Sequence, residues 1–171
     1  EISSFIWNVC DDVLRGLFKP HEYGDVILPF TVLRRLDCTL ESHKDEVYEI
    51  YEKYKSQVDD PTPIILNKIN TNFFNHSKYD LTRLKSDPQN INLNFQNYIG
   101  GYSDNVVEII ENFQFDKPVQ KLHKSNRLYQ LIDKFTEVDL HPDVISNRDM
   151  GIIFEELLRK FSEMSNETSG E

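Results

Sequence analysis

Apolar residues recur every three or four positions along most of this chain, which is the spacing of helices that bury one face. Two such stripes run side by side through residues 2–18 and predict a central first helix. That helix should end at Lys19-Pro20, because a residue before proline avoids helical backbone angles. A second helix is predicted over residues 24–40, where Pro29 marks a kink or the true start. A third is predicted over residues 43–57 and is followed by a proline-rich break.

The middle of the chain, residues 64–100, is rich in asparagine and less regular. Short helices joined by loops are predicted there. The alternation of apolar and polar residues in INLNFQNYI, residues 91–99, also allows a short strand or hairpin.

Helical spacing is clear again in the last third of the chain. Three short helices are predicted, with starts near Ser103, Pro118 and Ser125. The last helix, residues 150–164, has the cleanest apolar stripe. The whole pattern predicts an all-α, irregular multi-helix bundle, with a helical domain over residues 1–164 and the start of a linker over residues 165–171.

Composition narrows the class of protein. A length of 171 residues suits one domain, and the absence of alanine requires a core of larger side chains. No apolar run approaches the roughly 20 residues of a membrane span, and the first residues do not resemble a signal peptide. Cys10 and Cys38 lie within helical apolar patterns, so we expect buried, reduced thiols. A cytoplasmic location follows as an expectation.

The formal charge of −10 opposes a chain whose whole surface binds nucleic acid. The charge is unevenly distributed, however, because residues 41–60 are mainly acidic and residues 116–134 mainly basic. Two interpretations of the basic segment stay open. It is either a solvated helix face or a local strip that contacts nucleic acid or another subunit.

Motifs for catalysis and for metal binding are missing from the sequence. The six glycines form neither a GxGxxG nor a GxxxxGK[ST] phosphate loop. The histidines occur without the spacing of metal ligands, and no GxSxG segment is found. We therefore predict no catalytic residue and no metal ligand in this chain.

Both ends of the chain resemble one known family. The segment FIWNVCDDVLRGLFKPHEYGDVILPFTVLRRLD, residues 5–37, is similar to the opening of the modification (M) subunit of type I restriction–modification systems. The segment DLHPDVISNRDMGIIFEELLRKFSEMSNETSGE, residues 139–171, resembles the junction that precedes the methyltransferase domain in that family. Since the two segments bracket the chain, the resemblance covers nearly all of it.

The resemblance implies a function and a set of partners. The full-length parent would transfer a methyl group from S-adenosylmethionine to adenine N6 in DNA, while this helical part would be non-catalytic. Only Glu171 matches the edge of the cofactor-binding stretch. The implied partners are DNA, a second M subunit, the specificity (S) subunit and the restriction (R) subunit.

Two hypotheses follow for the chain itself. The first is a DNA-clamp and subunit-assembly domain that contacts backbone phosphates through a basic strip, with Arg34 and Arg35 as second choice; the strip comprises Lys117, Lys121, Lys124 and Arg127. The alternative for Arg34 and Arg35 is ion pairing with the acidic third helix. The second hypothesis is a free-standing helical adaptor that binds another protein through apolar grooves.

Overall fold

A computed structural model describes the backbone of residues 2–169 and the side chains of residues 2–166. Its regular elements are ten α-helices, joined by short 3₁₀ turns and loops, and no strand occurs among the described residues. The helices are α1 (Ile2–Val9), α2 (Tyr23–Leu40), α3 (Lys44–Tyr54), α4 (Thr62–Ile69), α5 (Leu81–Leu84), α6 (Ile91–Gly100), α7 (Asp104–Phe113), α8 (Asp116–Lys124), α9 (Leu128–Phe135) and α10 (Asn147–Ser169). The all-α prediction is confirmed.

The core is built around α2, because its side chains are buried on several faces. Phe30 is fully buried and its ring lies 5.7 Å from the ring of Phe95 on α6, measured between centroids. The rings of Phe115 and Phe135 also contact Phe30, at 6.0 and 5.7 Å. Aromatic side chains bury large apolar areas. This cluster therefore joins α2, α6, α8 and α9 into one core without alanine.

The asparagine-rich middle is helical over residues 91–100, where the alternation of apolar and polar residues also allows a strand. Residues 91–100 form α6, in which Ile91, Phe95 and Tyr98 are buried at helical spacing. Leu93, which completes the alternating pattern, is 70% exposed. The possible strand over these residues is therefore wrong, because three buried side chains at i, i+4 and i+7 place the chain on a helical face.

The first helix ends earlier than predicted. After α1, one π-helical turn over Cys10–Leu14 finishes the helix, and Arg15 already has extended backbone angles. Gly16 then adopts a φ of +82°, which a residue with a side chain rarely adopts. Pro29, in contrast, lies inside α2 and does not mark its start.

Helix α10 packs closely against α2. A Cβ atom added at Gly24 would lie 2.9 Å from Cβ of Phe161, so only glycine permits this approach. The ring of Trp7 lies 5.8 Å from that of Phe161 and extends the contact to α1. The helix continues to Ser169, five residues beyond the predicted end at Met164. The boundary between domain and linker stays a prediction.

Candidate nucleic-acid interface

Helix α8 presents three of the four residues of the predicted basic strip as a single exposed ridge. Lys117, Lys121 and Lys124 are exposed and separated by one turn each, while Val119 and Leu122 on the opposite side are buried. The alternation of buried and exposed positions fixes which way the lysines point. Among the described residues none of the three forms an ion pair. We call Lys117, Lys121 and Lys124 the α8 ridge.

Aromatic anchors hold the ridge in place. Phe115, the residue before α8, is buried and packs its edge against Phe30 in the core. Nζ of Lys121 lies 4.7 Å from the centroid of the Phe18 ring, a cation–π contact. The middle of the ridge is therefore positioned against the segment that follows α1.

A groove lies on each side of the α8 ridge. The first has a volume of about 440 Å³ and lies between the ridge and the start of α2. The second has a volume of about 460 Å³ and includes Leu17 and Gln120. Both grooves contain acidic side chains as well as lysines. The surface is therefore of mixed charge rather than uniformly basic.

The acidic side of the first groove consists of Glu22 and Asp25. Burial, and secondly the charge of Glu22, raise the pKa of Asp25 above its ordinary value. Oε1 of Glu22 accepts a hydrogen bond of 2.8 Å from the backbone N–H of Lys19, which fixes its position. An anion held by the lysines in this groove would thus have two carboxylates in the same lining.

Arg127, the fourth residue of the predicted basic strip, is half-buried and already bonded within the chain. Its Nη1 donates to the carbonyl oxygens of Val13 and Arg15, at 2.9 and 3.2 Å. Val13 lies in the last turn of the first helix, where carbonyls lack helical partners, and Arg15 follows directly after that turn. The structure therefore places Arg127 beside the α8 ridge but turns its guanidinium group inward.

Arg34 and Arg35 lie far from the α8 ridge in sequence and hold the loop before α10. Arg34 donates to the carbonyl oxygens of Thr136 and Val138, at 3.3 and 2.8 Å. Arg35 donates to the carbonyl oxygens of Leu140 and Ile145, at 2.8 and 2.7 Å, and to Asn147 Oδ1 at 2.7 Å. DNA contact by these arginines stays a prediction, and it would require them to release the loop.

The alternative of ion pairs between Arg34 or Arg35 and the acidic third helix is wrong for the described residues. Neither arginine takes part in an ion pair there, and both guanidinium groups point to the loop over residues 136–147. The acidic α3 pairs instead with Arg83 on α5, through an Asp45 contact of 2.8 Å. Glu171, predicted at the edge of the cofactor pocket, lies outside the described residues.

A buried polar cluster around Asp37 on α2 was not predicted from the sequence. Its carboxylate accepts hydrogen bonds from the backbone N–H of Leu81 at 2.7 Å and from the hydroxyls of Tyr98 and Tyr102, at 2.5 and 3.2 Å. Burial raises the pKa of Asp37 to about 6, against the opposing effect of these hydrogen bonds. Asp37 lies four residues after Leu33, on the apolar face of α2. A carboxylate at such a position indicates a buried polar group, and the sequence contains this one signal of the cluster.

A buried lysine extends this cluster to α3. Nζ of Lys44 donates to Oδ1 of Asn75 at 3.1 Å, and Asn75 in turn donates to the carbonyl oxygen of Tyr98 at 2.9 Å. Burial lowers the pKa of Lys44 to about 8. The cluster ties α2, α3 and α6 together inside the protein. Every charged group in it already has protein partners, and we regard it as structural.

The described residues offer neither a metal site nor a membrane span. Groups of three or more potential ligands among His, Cys, Asp and Glu are absent from that part of the chain. Within it, every helix is too short or too polar to cross a membrane. Cys10 and Cys38 are buried and free, as predicted.

The fold and the site together define an all-helical domain with an exposed lysine ridge on α8. Comparison with protein families gives the particular one: the chain belongs to the HsdM N-terminal domain family, whose model matches residues 2–135. It is thus an N-terminal domain of the modification subunit of type I restriction–modification systems, as the resemblance indicated. Neither a search of curated proteins nor a search of solved structures found a match.

Proposed function

We propose that this domain contacts the DNA backbone for its modification subunit through the α8 ridge and helps the subunit to assemble. One observation carries the proposal: in a chain of charge −10, three exposed lysines share one helix face and have no ion-pair partner among the described residues. Phosphate contacts position a protein on DNA but do not read its sequence. The domain would therefore serve any target that its complex recognises.

The parent subunit would supply the chemistry that this domain lacks. Family membership supports a methyltransferase subunit. We propose that the parent transfers a methyl group from S-adenosylmethionine to adenine N6, with the cofactor held outside this domain. Such a reaction requires the base to leave the stack. A second M subunit, the S subunit and the R subunit would complete the assembly, and its location would be the cytoplasm.

A second observation favours a protein-binding role, which is also the alternative function. A groove of about 290 Å³ between α2 and α10 is mostly apolar and contains Val32, Leu36, Met150 and Phe154. Leu158, one turn beyond Phe154, is 44% exposed. We call this surface the α2–α10 groove.

We propose a second copy of the modification subunit as the occupant of the α2–α10 groove. Glu155 and Arg159, of opposite charge, are exposed beside the apolar residues of α10, and Arg159 forms an exposed ion pair of 3.2 Å with Glu163 that a partner carboxylate would have to replace. An antiparallel pair of these helices would bring Glu155 of each copy near Arg159 of the other. Complementary charges at the rim select partner and orientation.

The test of DNA contact is a salt series with the modification subunit that carries this domain. Lysine-to-glutamine changes at positions 117, 121 and 124 should weaken binding equally for target and non-target duplexes. The slope of log K against log salt should fall by about 2 to 3, at about 0.9 for each phosphate that a lysine no longer neutralises.

A matched triple variant provides the control. Lys53, Lys68 and Lys78 are also exposed but lie on other elements, so their change to glutamine alters net charge by the same amount. An equal reduction of slope in this control would show that net charge acts rather than the ridge. An unchanged slope in the ridge variant would overturn the proposal.

A further inference from the structure

The first groove beside the α8 ridge is lined by aromatic, basic and acidic side chains. Phe18 and Phe113 contribute aromatic surface, Lys117 and Lys121 contribute ammonium groups, and Glu22 and Asp25 contribute carboxylates. Phe113 is half-buried at the end of α7, where Gln114 turns the chain through a left-handed backbone conformation. The turn between α7 and α8 thus positions an aromatic ring next to the lysines.

The charged side chains that line this groove form no ion pair with each other among the described residues. No nitrogen of Lys117 or Lys121 lies within 4.0 Å of a carboxylate oxygen among the described residues. Asp25 has no such partner among the described residues either. The groove therefore suits a ligand that carries anionic groups at one end and an N–H donor at the other.

A nucleotide has this distribution of charge. Its phosphate is anionic, its base offers a flat face for stacking on an aromatic ring, and an exocyclic amine donates to a carboxylate. The ammonium of Lys121 already lies over the Phe18 ring, so it can hold a phosphate at the mouth of the aromatic surface. The volume of about 440 Å³ leaves room for one base with its sugar.

We infer that this groove holds one unstacked, amine-bearing base of a DNA strand whose phosphates lie on the α8 ridge. The inference rests on the proposed contact between the ridge and the backbone. It adds that the domain binds a strand with exposed bases more tightly than the same backbone without them. Phe113 stacks on the base and Asp25 accepts from its amine, which favours cytosine and adenine over thymine.

The experiment measures fluorescence anisotropy of the 171-residue chain with single-stranded oligonucleotides of equal length. Three probes are used: oligodeoxycytidine, oligothymidine and an oligomer of abasic sites with the same number of phosphates. Oligodeoxycytidine should bind about tenfold tighter than the abasic strand, from stacking. It should bind about fivefold tighter than oligothymidine, from the bond to the carboxylate.

Two variants separate the contributions. Phe113→Leu keeps apolar bulk at a half-buried position and should remove most of the advantage of base-bearing strands over the abasic one. Asp25→Asn should remove the preference for cytosine over thymine, because an amide both donates and accepts. Tyr54→Leu and Asp104→Asn, at similar positions on α3 and α7, are the matched controls. They should change neither the ratio of affinities for base-bearing and abasic strands nor the ratio for cytosine and thymine strands.

The outcomes distinguish this inference from the proposed function. If the abasic and base-bearing strands bind equally, and binding is lost when the ridge lysines become glutamine, the inference that the groove holds a base is overturned. The proposed contact between the α8 ridge and the DNA backbone is then still supported. Binding that does not depend on the ridge lysines would overturn both. A base preference that survives Phe113→Leu would place the base elsewhere and overturn the groove.

Discussion

Asp37 shows how one residue shapes this domain without taking part in its proposed binding. A buried carboxylate is costly unless it is hydrogen-bonded, and Asp37 accepts from a backbone amide and two tyrosine hydroxyls. The same burial raises the pKa of Tyr98 and Tyr102 well above the ordinary value, so both remain donors. The hydroxyl oxygens of Tyr98 and Tyr102 also lie 2.7 Å from each other. A change in the charge of Asp37 must therefore affect several helices at once.

The stability of the domain should consequently depend on pH through Asp37. Its pKa is about 6 in the folded protein against an ordinary value of 3.8, so the folded state holds the proton more tightly. This contribution to stability is fully present below about pH 4 and is lost as pH rises through 6. We expect Asp37 to make the free energy of unfolding about 1 kcal/mol larger at pH 5 than at pH 7.

Urea denaturation of wild type and Asp37→Asn at both pH values isolates this contribution. The variant should be less stable at either pH, because asparagine cannot accept every bond that the carboxylate accepts. The free energy of unfolding at pH 5 is compared with that at pH 7. The difference between the two values should shrink in Asp37→Asn and persist in the exposed control Asp149→Asn. If the difference between pH 5 and pH 7 is the same in wild type and in Asp37→Asn, Asp37 is not the cause of the pH dependence of stability.

Among the elements, the long helices follow from the sequence and the connections do not. The stripe of α10 and the apolar face of α2 are regular enough to predict both helices. The end of the first helix depends on Gly16, whose positive φ no apolar pattern reveals. In α6, both a helix and a strand fitted the pattern, and burial of Tyr98 with exposure of Leu93 decided between them.

The close packing of α10 on α2 predicts that a side chain at Gly24 is destabilising. Gly24→Ala should destabilise the domain by about 1 to 3 kcal/mol, because Cβ of Phe161 is fixed to its backbone and the two helices must separate. Gly151→Ala on α10 is the matched control. Its new Cβ would meet no atom within 4 Å, so it should stabilise the domain by up to about 1 kcal/mol. Urea denaturation measures the change in stability of both variants, from the shift in midpoint when the slope of free energy against urea concentration is unchanged. A Gly24→Ala variant as stable as wild type would refute the close approach of Gly24 to Phe161.

For the molecule as a whole, the sequence predicted which lysines could form a basic strip but not how their surroundings are arranged. The spacing of Lys117, Lys121 and Lys124 within one helix is a local property, readable from the chain. The inward turn of Arg127 depends on carbonyls more than a hundred residues away. The use of Arg34 and Arg35 to hold the loop before α10 is equally remote. Long-range partners of this kind leave no periodic signal.

The proposed assembly predicts that the two surfaces can be disabled separately. Leu158→Glu puts a charge at the α2–α10 groove on an exposed side chain, so the domain should fold normally while association of modification subunits weakens. Leu93→Glu, on the 70% exposed side chain of α6, is the matched control.

Sedimentation velocity of the modification subunit should show a shift toward monomer for Leu158→Glu alone. The salt dependence of DNA binding should stay that of wild type, because the α8 ridge is intact. Unchanged association in Leu158→Glu would remove the α2–α10 groove from the assembly, and a parallel weakening in Leu93→Glu would show that any added surface charge has this effect.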